Sequence, residues 1–128
     1  MQTAKEIMTT PVVTISASAT VAEAMRVMTE KRLRGLMVEP AGWEDSYGIV
    51  TNSDIVHKVA AAGKDPEAVT IGEVMTKPCI EVDPEMTVQE VCQLFARHHL
   101  HRAPVIKGEL MGVITVVDIL RGTMWWQG

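Results

Sequence analysis

Apolar and polar positions along this 128-residue chain fall into a succession of helical and extended rhythms, and the succession is written twice. Val21, Ala24, Met25 and Met28 recur at i, i+3, i+4 and i+7, as do Val88, Val91, Cys92 and Phe95, so each set predicts a helix with one buried face. Each helix opens on the Thr-x-x-Glu spacing of a capping box, Thr20 to Glu23 and Thr87 to Glu90. The same spacing at Thr3 to Glu6 and Thr70 to Glu73 predicts a short helical turn at the head of each copy. Pro11 and Pro78 end those turns, and brief β-prone runs follow at 12–15 and 79–82. Short strands are predicted at 35–38 and 47–50, and again at 103–106 and 110–114, the second pair joined by the compact turn Lys107-Gly108-Glu109. A closing helix is predicted from Asp54 to Ala62, stopped at Gly63, and from Asp118 towards Trp126.

The duplication is legible residue by residue. Thr3-Ala4-Lys5-Glu6-Ile7-Met8-Thr9 returns as Thr70-Ile71-Gly72-Glu73-Val74-Met75-Thr76, Pro11 as Pro78, and Leu33 as Leu100. Gly48-Ile49-Val50-Thr51-Asn52-Ser53-Asp54 returns as Gly112-Val113-Ile114-Thr115-Val116-Val117-Asp118, but at a spacing three residues shorter. The three extra residues of the first copy belong to the polar stretch 40–46, which reads as a loop. The chain is therefore an α+β protein of two tandem β-α-β-β-α repeats, 1–64 and 65–128. Its length predicts that the two repeats share one core.

Composition narrows the partners. A hydrophobic content of 47% and a charged content of 22% are ordinary for a soluble globule, and the net charge of −4 argues against a general nucleic-acid binder. No apolar run has the length of a membrane span, and the amino terminus lacks the apolar core of a signal peptide. Cys79 and Cys92 lie outside any CxxC pattern and read as buried thiols rather than a disulfide, which predicts a reducing, cytoplasmic setting.

The chemistry lies at the two signatures. Each sets a threonine and an aspartate three apart where a strand turns into a helix. A carboxylate there can accept two hydrogen bonds from a ribose diol, beside a helix N-terminus that favours an anion. Two such corners predict a pair of pseudo-symmetric nucleotide sites. The same spacing is also that of a helix N-cap with an acidic third residue, which needs no ligand, and duplication copies a cap as readily as a binding residue.

This order of elements resembles the cystathionine-β-synthase-like (CBS) domain, and two copies resemble a CBS pair, or Bateman module, with pseudo-two-fold symmetry. The residues that carry the resemblance are Ile7 to Pro11, Val74 to Pro78, Leu100 to Val105 and the two signatures, and it spans nearly the whole chain. It implies an adenosine nucleotide or a related adenosyl compound in the cleft between the repeats, with no required cofactor. One site would join Thr51, Ser53 and Asp54 to Cys79 and Ile80, with His101 and Arg102 meeting the phosphate. The other would join Thr115 and Asp118 to Thr14 and Ile15, with Arg34 nearby. Val117 replaces the serine in the second signature, and Gly35 stands where Arg102 stands in the other copy. The Asp54 site is therefore expected to be the tighter one, and a single arginine and histidine at the phosphate favour AMP over ATP.

Three functional classes are weighed. The first is a regulatory sensor acting on a partner protein in trans by shifting the repeat angle or the dimer form, with S-adenosylmethionine as an alternative ligand. The second is a ligand-free dimerisation or docking module. The third, an enzyme, lacks an activated nucleophile, paired catalytic carboxylates and a P-loop. His98, His99 and His101 have no nearby carboxylate or cysteine to complete a metal site and read as helix-end caps. Met25 and Met28 read as core. Trp125 and Trp126 cannot both face one core, and the resemblance implies a homodimer that one of them would anchor, with Trp43 as a second contact.

Overall fold

A computed structural model describes residues 2–122. The first half gives α1 (Ala4–Ile7), β1 (Thr14–Ile15), α2 (Val21–Lys31), β2 (Gly35–Val38), β3 (Gly48–Thr51) and α3 (Asn52–Ile55, continued by a π turn, Val56–Ala60). The second gives α4 (Ile71–Val74), α5 (Val88–His98), β4 (Arg102–Lys107), β5 (Glu109–Thr115) and α6 (Val116–Gly122). Trp125 and Trp126 lie outside the described residues. No described helix is long and apolar enough to cross a membrane.

Local chemistry explains most of these boundaries. The capping boxes form at α1, α4 and α5: Thr70 N and Oγ1 donate to Glu73 Oε2 at 2.7 and 3.0 Å, and Thr87 N donates to Glu90 Oε1 at 2.9 Å. These bonds hold the carboxyls of Glu73 and Glu90 below their ordinary range, the threonine main-chain N–H being the larger cause in each. At α2 only half the box is made, Glu23 N donating to Thr20 Oγ1 at 3.1 Å. Arg32 and His99 close α2 and α5 from the left-handed region, both at φ 55°. His99 is therefore a helix C-cap. Gly108, at φ +76°, makes the β4–β5 turn, where a side chain would be strained.

The chain packs as two units that divide it differently from the repeats. Val13–Cys79 forms one; the residues before and after that segment form the other. The opening segment of each repeat thus packs in the unit built from the other repeat's helices and strands. In the Val13–Cys79 unit, β1 lies parallel to β2 and β2 antiparallel to β3, and Thr76 bridges Ile49 on the free side of β3. In the other unit, Val82 bridges Val105 in parallel, β4 and β5 pair antiparallel, and Thr9 bridges Val113. The predicted β run 79–82 is reduced to that single bridge.

The expectation of one shared core is corrected, because buried apolar residues gather in two clusters. One comprises Ile15, Val21, Ala24, Met28, Leu36, Val38, Val50, Ile55, Val59, Val69, Ile71 and Val74. The other comprises Ala4, Val82, Val88, Val91, Phe95, Ala103, Val105, Ile114 and Ile119. Each sheet needs its own helices to bury its inner face, so each unit carries its own cluster. Met25 is also corrected: it is 42% exposed, at a shallow groove with Ala22 and Pro66, and only Met28 of the pair is core. The inserted loop is pinned by Ala41 N donating to Asp45 Oδ2 at 2.8 Å and by an ion pair between Lys77 and Asp45. Trp43 at its tip is 92% exposed.

The signature glycines have a packing cause. A Cβ at Gly112 would stand 2.6 Å from Met8 Sδ, 2.8 Å from its Cγ and 3.1 Å from its Cβ. At Gly48 it would stand 2.9 Å from Met75 Sδ and 3.2 Å from the Thr76 carbonyl oxygen. Each glycine lets the methionine-threonine segment seat against the strand. Gly112→Ala is expected to destabilise the fold by about 1–3 kcal/mol through overpacking, read as a lower midpoint in denaturant at unchanged slope.

Candidate functional site

Both signatures fold into the same corner. Thr51 stays extended (φ −119°, ψ 164°) as the N-cap of α3, and its N and Oγ1 donate to Asp54 Oδ2 at 2.9 and 3.1 Å. Asp54 N donates back to Thr51 Oγ1 at 3.2 Å. Thr115 and Asp118 repeat the three bonds at 2.9, 3.1 and 3.2 Å. The residue before the neighbouring strand ties each corner down: Asn52 N donates to the Arg34 carbonyl at 2.9 Å, and Val116 N to the His101 carbonyl at 3.0 Å. As local structure, then, each signature is a capping box.

The second carboxylate oxygen separates the two corners. Asp118 is 4% exposed, and its Oδ1 accepts from Thr9 Oγ1 at 2.8 Å and from the Arg121 guanidinium at 3.0 Å. A carboxylate offers about four lone-pair positions, and Asp118 has all of them engaged. Asp54 has a side chain 16% exposed, and its Oδ1 faces one cation, the half-exposed Lys58 ammonium at 3.2 Å. That ammonium, carried on the widened π turn, also donates to the Val74 carbonyl of α4 at 2.8 Å. The Thr76 hydroxyl, twin of Thr9, makes no such bond to Asp54 among the described residues.

The remaining predicted residues divide between the units. Ser53, beside Asp54, is exposed, and its N–H is taken by Asn52 Oδ1 at 2.8 Å. Cys79 lies in the same unit, its Sγ donating to the Tyr47 carbonyl at 3.3 Å. Thr14 and Ile15 form β1: Thr14 Oγ1 donates to Glu39 Oε1 at 2.7 Å, and Ile15 is buried in the core with its carbonyl accepting from Glu39 N at 2.9 Å. Arg34, exposed, precedes Gly35, which faces Thr51 in the sheet register. Ile80, His101 and Arg102 belong to the other unit, where Arg102 is in register with Thr115. Within units, therefore, Arg34 keeps company with the Asp54 corner, and His101 and Arg102 with the Asp118 corner.

Sequence reasoning missed Lys58, Arg121 and Thr9. The first two sit at i+4 and i+3 from the aspartates, a helical spacing that signals a charge pair. Thr9 lies 109 residues from Asp118 and has no local signal. Elsewhere, Lys77 holds the Asp45 carboxyl below its ordinary range, the Ala41 N–H assisting, and burial pushes the Cys92 thiol up. Neither Cys79 nor Cys92 is in a disulfide. Among the described residues no three His, Cys, Asp or Glu side chains converge as a metal site.

Two strand-to-helix corners, each with a cap carboxylate, thus stand in two like-built units. The family model for the CBS domain matches residues 4–61 and 71–123, and the chain belongs to that family as a tandem pair. The chain is similar to the hexameric CBS-CP12 protein from bloom-forming cyanobacteria, at 53% identity and a TM-score of 0.94, covering 98% of this chain and 74% of that one. It is also 34% identical over 123 residues to Hypoxic response protein 1 of Mycobacterium tuberculosis, covering 94% of this chain and 85% of the relative. It is similar as well to the crystal structure of Hypoxic Response Protein I with two coordinated zinc ions, at 34% identity and a TM-score of 0.78, covering 96% of this chain and all of that one.

The two aspartates are expected to differ in structural weight. Asp118→Ala strands the part-buried donors of Thr115, as Asp54→Ala does those of Thr51, and in addition unpairs Thr9 and Arg121, which together cost about 1–3 kcal/mol. Asp54→Ala is expected to cost only about the 1 kcal/mol of a lost cap interaction. Thermal melts of the two variants check the order, Asp118→Ala melting lower.

Proposed function

We propose that this chain is a non-catalytic, ligand-sensing regulatory module that binds an adenosine nucleotide, AMP in preference to ADP or ATP, and acts on a partner protein in trans. The observation that carries the reading is the Asp54 corner. Its carboxylate is fixed through Oδ2 and turns Oδ1 towards a single half-exposed ammonium. A ribose hydroxyl can displace or share such a partner at small cost, since a half-exposed ion pair contributes little. Following the family resemblance, Thr51, Ser53, Cys79, Ile80, His101 and Arg102 serve the same ligand. Thr14, Ile15, Arg34, Thr115 and Asp118 are assigned to a second site, weak or empty in the native chain. His101 and Arg102 supply a small positive charge, which suits one phosphate better than three.

Signalling requires that the nucleotide bind one of two conformations more tightly, because equal affinity for both shifts nothing. Self-association is part of the proposal, as a homodimer or a higher oligomer; the hexameric state of the cyanobacterial CBS-CP12 protein supports it. The setting proposed is cytoplasmic.

A second reading has an observation of its own: both corners are complete capping boxes, a purely structural role that a docking module would need. Calorimetric titration with AMP, ADP, ATP and S-adenosylmethionine separates the two. The sensor reading expects AMP to bind, to stabilise the fold by about 2.7 kcal/mol at a hundredfold its Kd, and to lose its affinity in Asp54→Ala. Silence with all four ligands gives the docking reading the field.

A further inference from the structure

The two corners share main-chain geometry, sequence spacing and cap bonds, yet one carboxylate is saturated and the other is not. The difference originates outside both signatures. Thr9 and Thr76 occupy equivalent places in the duplicated opening segment, and each is clamped to a strand by a pair of main-chain bonds. Thr9 N donates to the Val113 carbonyl at 2.8 Å and Val113 N to the Thr9 carbonyl at 3.1 Å; Thr76 and Ile49 do the same at 2.8 and 3.0 Å. Only Thr9 adds its side chain, donating to Asp118 Oδ1 at 2.8 Å. A threonine hydroxyl on a carboxylate oxygen is the chemistry of a ribose hydroxyl on that oxygen, with the donor supplied by the protein.

We propose that Thr9 is a built-in occupant of the Asp118 corner, a specificity-determining residue whose hydroxyl takes the acceptor position a ribose would need and so confines nucleotide to the Asp54 corner. The inference rests on the ribose-binding reading given above. Because the main-chain clamp fixes Thr9, its hydroxyl is held in place before any ligand arrives and an incoming diol competes with a preorganised bond. Arg121 reinforces the closure but is 70% exposed on its side chain and free to swing into solvent. Thr9 is the stronger barrier.

The test titrates AMP into the native chain and into Asp54→Ala, Asp54→Ala/Thr9→Ala and Asp54→Ala/Thr9→Ser. A charge-assisted hydrogen bond is worth enough that removing the competitor should strengthen binding at the Asp118 corner roughly ten- to hundredfold. The expected result is binding in the native chain, loss in Asp54→Ala, recovery with Thr9→Ala, and no recovery with Thr9→Ser, which keeps the hydroxyl. Thr9→Ala alone, read as AMP equivalents per chain rising from one to two, gives the same answer if the double variant melts too low to titrate. Native binding lost in Asp54→Ala and not recovered with Thr9→Ala overturns the role of Thr9 and leaves the sensor reading standing. Undiminished binding in Asp54→Ala, by showing the Asp118 corner already open, overturns it too. AMP bound by none of the four proteins overturns both.

Discussion

The main-chain bridge between an opening segment and the strand before a signature is the constraint on which most of this structure depends. Thr9 on Val113 and Thr76 on Ile49 extend each sheet by one position. Strand N–H and C=O groups left bare at a sheet edge are a liability, and here the chain covers them with its own duplicated segment. The bridge forces the methionine of that segment against the strand, so a glycine stands at Gly48 and Gly112 where any side chain would collide. It also exchanges the segments, giving two packing units that each combine both repeats. A feature that reads as a signature for ligand is thus in part a signature for close approach.

From the same bridge the two corners diverge. Duplication preserved the cap, the strand register and the tie to the preceding residue, all of which are main-chain or nearest-neighbour effects. It did not preserve what reaches the second carboxylate oxygen. Thr9 and Arg121 converge on the second oxygen of Asp118, whereas among the described residues only the half-exposed Lys58 meets that of Asp54. Buried carboxylates with all acceptors paired are stable and inert; a carboxylate with a loosely held oxygen is stable enough and still able to accept. The two aspartates share one cap geometry and differ in what meets the second oxygen.

Much of this was legible in the residues. The Thr-x-x-Glu boxes predicted helix starts because capping is decided within four residues, and the apolar spacing of α5 predicted Val88, Val91 and Phe95 as core. The hairpin around Gly108 followed from a turn that needs a positive φ. What escaped is non-local. The expected single core became two because each sheet needs its own helices to bury its inner face. Met25, on the apolar spacing of α2, is exposed where Ala22 and Pro66 leave a groove. The π turn after α3 has no periodic signal, since one widened turn barely shifts the pattern. At the site the aspartates, the caps and the equivalence of Arg34 with His101 could be read from spacing, but the Thr9 contact spans most of the chain and required the fold.

The central claim is that Asp54 and Asp118 are chemically unequal towards a nucleotide. The most direct measurement is carbon-detected NMR of the two side-chain carboxyls as AMP is added to the native chain. The account predicts that the Asp54 resonance moves with saturation while that of Asp118 stays in place. Movement of Asp118 with Asp54 silent, or of both alike, would contradict it.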